Sequence, residues 1–263
     1  MIEHFTQAYV TLPVAFLVSM TGSALGLLMA RHARRHDRPG RRALWLAVAA
    51  FAIGGTGIWV MHFVAMLGFA VTDVELLYDP ALTALSALVA VAAVACGLVF
   101  IGLGRYSRVK LAFAGLFTGA GIAGMHYMGM AALSAEVELT HRTGYVVAAT
   151  AIAVGAATTA LWLSWRLERT SAIWLAAVVM ALAVNLMHYT AMFGVQVGGD
   201  AAEDAHGAHS MDLIFPMATL TAIVLLVLIF AVVTVPTDEE MQTEARMTTI
   251  ERELRPGVER STR

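Results

Sequence analysis

Residues 111–135 read LAFAGLFTGAGIAGMHYMGMAALSA, without a single Asp, Glu, Lys or Arg. About 20 such residues cross the ~30 Å hydrocarbon core of a bilayer at 1.5 Å per residue. A backbone in contact with lipid must satisfy its own hydrogen bonds, so this run is predicted to be a helix. Barrel strands would show dyad alternation in segments of about ten residues. Six further uncharged runs flank it: Gln7–Ala30, Ala43–Thr72, Pro80–Gly104, Thr143–Trp165, Thr170–Gly199 and Leu213–Thr237. The composition agrees, with 59% apolar residues, 14% charged and a mean hydropathy of +0.73. A soluble domain carries about 25% charge. Disorder, collagen and disulfide scaffolds are excluded by the same figures and by the single cysteine, Cys96. The expected fold is an all-α membrane protein of seven transmembrane helices.

The basic residues set the expected orientation. Arg31, Arg34, Arg35, Arg38, Arg41 and Arg42 follow the first run; Arg105, Arg108 and Lys110 follow the third; Arg166 and Arg169 follow the fifth. Of the 17 basic residues, 16 fall on that side and only Arg142 on the other, where the acidic residues gather. The N-terminus is expected outside and the C-terminus in the cytosol. Trp45, Trp162, Trp165 and Trp174 sit near the inner ends of their helices, as interfacial anchors do. The first run lacks a basic leader and is expected to be retained as a helix. Residues 1–237 then form the transmembrane domain and 238–263 a short cytosolic tail, in which Met247, Ile250 and Leu254 share one helical face. The arginines are accounted for by topology, and no nucleic-acid partner is expected.

An internal repeat decides the function. Met61-His62-Phe63-Val64-Ala65-Met66, Met125-His126-Tyr127-Met128-Gly129-Met130 and Met187-His188-Tyr189-Thr190-Ala191-Met192 share the pattern Met-His-aromatic-x-small-Met. Chance matches to Met-His-x-x-x-Met number roughly 0.03 for this composition. The copies fall on alternate helices, so the architecture reads as three tandem helical hairpins and a closing seventh helix. Each histidine lies 16 to 20 residues past the last inner basic residue and 10 to 12 before the next outer acid. That spacing predicts one common depth, in the outer half of the membrane. Gly54, Gly55 and Gly57 precede the first copy and Gly119, Gly121 and Gly124 the second, so helices are expected to approach closely there. The third copy has Asn185 instead.

Only these three of the nine histidines fall inside uncharged runs. An imidazole in a bilayer faces the bundle interior and a partner. His at i and Met at i+4 share a helical face, so His62 with Met66, His126 with Met130 and His188 with Met192 are expected to present nitrogen and thioether inward. Met61, Met125 and Met187 lie about 100° round from their histidines. Imidazole and thioether without a hard oxygen donor favour copper over calcium, magnesium or manganese. Structural zinc would recruit Cys or a carboxylate.

These residues resemble the MHYT domain, a bacterial integral-membrane sensory module whose tetrad is spelled by Met187-His188-Tyr189-Thr190. The resemblance covers about residues 8–235. It implies a multi-pass protein of the bacterial cytoplasmic (inner) membrane that holds copper through its Met and His residues. It further implies detection of a diatomic gas such as oxygen, carbon monoxide or nitric oxide, and a cytosolic or membrane signalling partner. Many relatives append domains that make or break cyclic di-GMP; this chain ends without one, so a signalling module rather than an enzyme is expected. The first copy departs at Phe63 and Val64, and the second at Met128.

Two other functions fit the same residues less well. A copper carrier or transporter would need ligands at several depths, and the remaining methionines form no histidine-containing relay. A haem protein would use two of the histidines as axial ligands, but no second layer or electron-donor motif accompanies them. His206 and His209 belong to an acidic outer loop that could concentrate metal, although a solvated loop is the simpler reading. Tyr127 and Tyr189 read as packing or as groups that orient a ligand, and Cys96 as packing.

Overall fold

A computed structural model describes residues 2–3, 8–71, 76–103, 105–134, 138–198, 208–234 and 246–247. Among the described residues, seven helices are long and apolar enough to span a membrane. They are α1 (Ala8–Arg34), a composite second span (Pro39–Met66), α4 (Pro80–Gly102), α5 (Arg108–Ala131), α6 (Thr143–Arg166), α7 (Thr170–Phe193) and α8 (Ser210–Thr234). The second span comprises α2 (Pro39–Ala50), a π-helical stretch (Phe51–Val60) and α3 (Met61–Met66). The chain forms two compact units, residues 1–225 and 226–263. Of the tail, Arg246 and Met247 are helical; Ile250 and Leu254 lie outside the described residues.

Burial runs opposite to a water-soluble domain. Phe113, Phe117, Leu88 and Leu186 are more than half exposed, while Ala15, Ala24, Ala50, Ala90 and Ser86 are wholly buried. Large apolar side chains turned outward, with small residues where helices touch, are what an apolar solvent permits, because lipid provides no drive to bury leucine. Small residues let the backbones touch. A Cβ on Gly22 would lie 2.5 Å from the Gly57 nitrogen, and one on Gly54 would lie 2.8 Å from the Ala90 carbonyl oxygen. The expected close approach is thus realised at Gly54 and Gly57, and also at Gly119, against Val154, and Gly121, against Ala93. Gly55 and Gly124 have room for a side chain.

The interior hydroxyls are tied across this narrow core. Thr118 on α5 donates to the Ala93 carbonyl on α4 at 3.1 Å, and Trp59 Nε1 donates to Ser86 Oγ at 2.9 Å. Helix starts follow ordinary capping chemistry. Asp79 accepts from the amides of Ala81 and Leu82 ahead of α4, whose first residue is Pro80. Ser107 accepts from the Lys110 amide ahead of α5.

Two features depart from the all-helical expectation. The ten-residue π stretch widens the second span immediately before the first motif copy, where three glycines lower the α preference. Among the described residues, seven short strands also pair segments outside the helices: β1 (Ile2–Glu3) with β2 (Ala70–Val71), β3 (Leu77–Tyr78) with both β4 (Leu133–Ser134) and β7 (Ala208–His209), and β5 (Glu138–His141) with β6 (Val195–Gly198). All pairings are antiparallel. They satisfy backbone groups that would otherwise be orphaned next to the helix ends. Cys96, expected in the packing, is exposed on α4.

The arginine-rich end has its own fastener. Arg34 donates to the carbonyls of Ser164 and Leu167, the unpaired C-terminal groups of α6, and to Glu168 Oε1 at 2.8 Å. Arg31 donates to the Glu168 carbonyl at 2.8 Å and to Thr170 Oγ1 at 3.1 Å. Two arginines counted only as topology signals therefore lock α1 to the α6–α7 turn. Replacing Arg34 by Met keeps the aliphatic stem but strips three acceptors of their donor. A loss of about 2 kcal/mol is expected, measured as a lower thermal midpoint in detergent. Arg34→Lys should recover only part of it, because an ammonium cannot reproduce the guanidinium fork.

Candidate metal centre

Helices α3, α5 and α7 each carry one histidine to the same point. His62, His126 and His188 are 1%, 0% and 1% exposed. Nδ1 of His62 lies 3.1 Å from Nδ1 of His188 and 3.2 Å from Nδ1 of His126. The ring centroids are 4.9 to 5.2 Å apart and the planes nearly perpendicular, at 77° to 82°. The expected convergence of the three imidazoles is present. An imidazole nitrogen has either one proton to donate or one lone pair to accept with. His62 Nδ1 therefore cannot make a conventional hydrogen bond to both neighbours. The outward nitrogens add to the deficit, since Nε2 of His62 and of His126 are buried without a partner.

The six motif methionines separate into two sets. Met66, Met130 and Met192 form one buried cluster with Phe69 and Val195, closed over by Leu76, Leu133 and Leu139. Met61, Met125 and Met187 are also buried but stand outside that cluster. Met187 lines a separate apolar cavity of about 40 Å³ with Ser23, Leu98, Met180 and Val184. The i+4 spacing thus gathers the later methionine of each copy, as the shared helical face predicts.

Each aromatic that follows a histidine packs edge-on against it. Phe63, Tyr127 and Tyr189 all stand 5.0 Å from their own imidazole, at 82° to 86°. The environment explains why the first copy lacks hydroxyls. Phe63 and Val64 line an apolar cavity of about 330 Å³ with Val14, Val60, Tyr78 and Met217, where a Tyr or Thr hydroxyl would find few partners. Tyr127 faces a polar neighbour instead: its ring is 5.3 Å from that of His141 on β5. His206 lies outside the described residues, and the backbone of His209 belongs to β7.

Two contributors escaped the sequence reading. Gly129 occupies the small position of the second copy, where a Cβ would sit 2.5 Å from His62 Nε2 and 3.1 Å from Cδ2. His62 occupies the space that a side chain at 129 would fill. The signal was the smallness of that position in every copy, read as helix packing alone. The other is His141, passed over because it falls between charged residues rather than within an apolar run. Burial holds its imidazole below the ordinary range, and its Nε2 has no hydrogen-bond partner.

Among the described residues, seven membrane-length helices mark a multi-pass membrane protein, and the buried nitrogen cluster beside three thioethers is its candidate interior site. The comparisons specify which kind. The MHYT model, a bacterial signalling protein N-terminal repeat, matches residues 55–114 and 119–177. Each match contains one motif copy, and the third copy lies beyond them. The chain is 42% identical over 163 residues to the bifunctional diguanylate cyclase/cyclic di-GMP phosphodiesterase MucR of Pseudomonas aeruginosa, covering 60% of this chain and 24% of that protein. It is 33% identical over 200 residues to the cyclic di-GMP phosphodiesterase NbdA of the same organism, covering 73% of this chain and 25% of NbdA. It is 27% identical over 207 residues to the signaling protein YkoW of Bacillus subtilis, covering 76% and 25%. The chain spans about a quarter of the length of these curated relatives. No solved structure matches it. Residues 55–114 and 119–177 are thus MHYT repeats of the kind found in bacterial signalling proteins, and the match is to a signalling region rather than to a catalytic domain.

Gly129 and Gly124 provide a matched test on one helix. Gly129→Ala should force His62 off its two neighbours at a cost of about 1–3 kcal/mol, seen as a lower thermal midpoint and displaced imidazole NMR signals. Gly124→Ala, with nothing within 4 Å of the added carbon, should leave those signals in place and stabilise the helix by about 0.5–1 kcal/mol.

Proposed function

We propose that this chain is the membrane-embedded input module of a signalling system, and that it senses through a copper ion held by His62, His126 and His188. The observation that carries the reading is the approach of three buried Nδ1 atoms from three separate helices. A tetrahedral ion bound at ~2.0–2.1 Å by imidazole holds its donors about 3.3–3.4 Å apart. The observed separations of 3.1 and 3.2 Å are close to this, and one cation would satisfy lone pairs that hydrogen bonding leaves unmatched. The donors therefore fit the group. Among the described residues, no carboxylate or thiolate joins the three histidines as a possible ligand. Thioethers of Met66, Met130 and Met192 form the adjoining layer, with Met61, Met125 and Met187 as further sulfur donors on the same helices. Neutral nitrogen and sulfur favour copper.

Bound copper would supply an open coordination position or a change of redox state, suited to oxygen, carbon monoxide or nitric oxide. The protein's part is mechanical. Each histidine belongs to a different helix, so a change in how tightly the rings are drawn together alters the spacing of α3, α5 and α7. Packed interfaces with two arrangements amplify small displacements. The charge asymmetry supports an outside N-terminus, the tandem-hairpin threading, and a cytosolic arginine-rich end from which a partner is contacted in the bacterial inner membrane. The activities named in MucR and NbdA support cyclic di-GMP as the downstream currency. A single buried layer of imidazoles supports a fixed site over a transport path.

Metal analysis of purified protein tests this. The wild type should retain copper, and His62→Ala or His126→Ala should lower its affinity by at least about tenfold while the helical circular dichroism signal persists. Metal-free wild-type protein with intact helicity, after exposure to copper, would overturn the reading.

A further inference from the structure

The trio is sealed from solvent, and α3, α5 and α7 each run on into a strand, β2, β4 and β6. One side chain at that end carries a further imidazole. In β5, Leu139 packs against the Met66, Met130 and Met192 cluster. Strand side chains two positions apart point to the same face, so His141 is turned toward the bundle as Leu139 is. Its backbone pairs with Val195, itself a member of the methionine cluster. Its ring stands 5.3 Å from that of Tyr127, which in turn stands 5.0 Å from His126. His141 Nε2 and the Tyr127 hydroxyl are both buried without a hydrogen-bond partner. Unlike the trio, the His141 side chain is only partly buried. Its strand thus stands between the exterior and the methionine cluster that Leu139 and Val195 touch.

We infer that His141 is a further metal-binding side chain, a docking ligand that receives a soft or borderline cation at the strand end and passes it, by way of the methionine layer, to His62, His126 and His188. The inference rests on the copper reading of the trio. Capture needs an unpartnered nitrogen donor on a side chain that is partly open to solvent, and transfer needs soft donors in the neighbouring layer. Imidazole beside thioethers meets both requirements for a monovalent soft ion. A merely structural His141 would require only its shape.

The test uses the full chain in detergent and Ag(I) ions, which share the soft monovalent character of reduced copper. Uptake is followed by quenching into chelator at timed intervals and counting bound silver by mass spectrometry. His141→Ala and His141→Gln should each slow uptake about tenfold while reaching the wild-type final content, and His141→Met should restore the rate. Gln keeps the size and hydrogen bonding of the ring, so wild-type uptake by that variant would overturn the role of His141. Met as slow as Ala, or a lowered final content in the helical His141 variants, would overturn it equally. A His62→Ala, His126→Ala double variant separates the two readings. Undiminished silver in that variant overturns the trio as the destination, whatever His141 does, and no uptake by the wild type overturns both.

Discussion

Three buried imidazoles, one of them within hydrogen-bonding distance of the other two, are the constraint that organises this molecule. A buried polar nitrogen without a partner costs about 1–3 kcal/mol, and the cluster contains two, Nε2 of His62 and of His126. Holding the rings together requires room between the helices that carry them, and Gly129 provides it, because His62 fills the volume of its missing side chain. The strand pairings follow from the same requirement. The helices end close together, and their connecting segments meet as short antiparallel ladders instead of separate loops.

How much of this was legible depends on the scale at which each feature is encoded. The seven spans could be read because charge exclusion from a bilayer acts over some twenty residues at a time. Convergence of His62, His126 and His188 could be read because helical rise converts sequence distance into depth, and three copies repeat the same distance. The i+4 methionines followed from helical rotation alone. Features that depend on one neighbour were hidden. Gly124 and Gly129 look alike in the sequence, yet one has nothing within 4 Å and the other meets an imidazole. His141 borders Arg142 and looks like loop, and only the β5–β6 register turns it inward. The π stretch packs against Gly22 and Ala90, neighbours that the sequence of the second span does not contain.

The three copies are alike in chemistry and unlike in surroundings. Each imidazole has its following aromatic at the same 5.0 Å, which is the part of the motif that rotation along one helix determines. Beyond that ring the environments diverge: an apolar cavity behind Phe63, and an imidazole behind Tyr127. The departures at Phe63 and Val64 are therefore local adjustments to an apolar wall, and they leave the nitrogen donors untouched. Only the first copy is preceded by π-helix, so only His62 stands on a segment whose turn can tighten without breaking the chain's path.

The donor set also bears on which charge the centre would tolerate. Three neutral imidazoles and three neutral thioethers bring no negative charge, and Met66, Met130 and Met192 separate the rings from the strand end. The cost of placing an ion in such a medium grows with the square of its charge, so a divalent ion pays roughly four times the penalty of a monovalent one. Soft neutral donors compensate the smaller penalty well and the larger one poorly. On the copper reading, the reduced ion is the favoured occupant. Oxidation would then carry a penalty, which could be relieved by drawing the donors inward or admitting an anion. Either response works directly on the three helices that hold the rings.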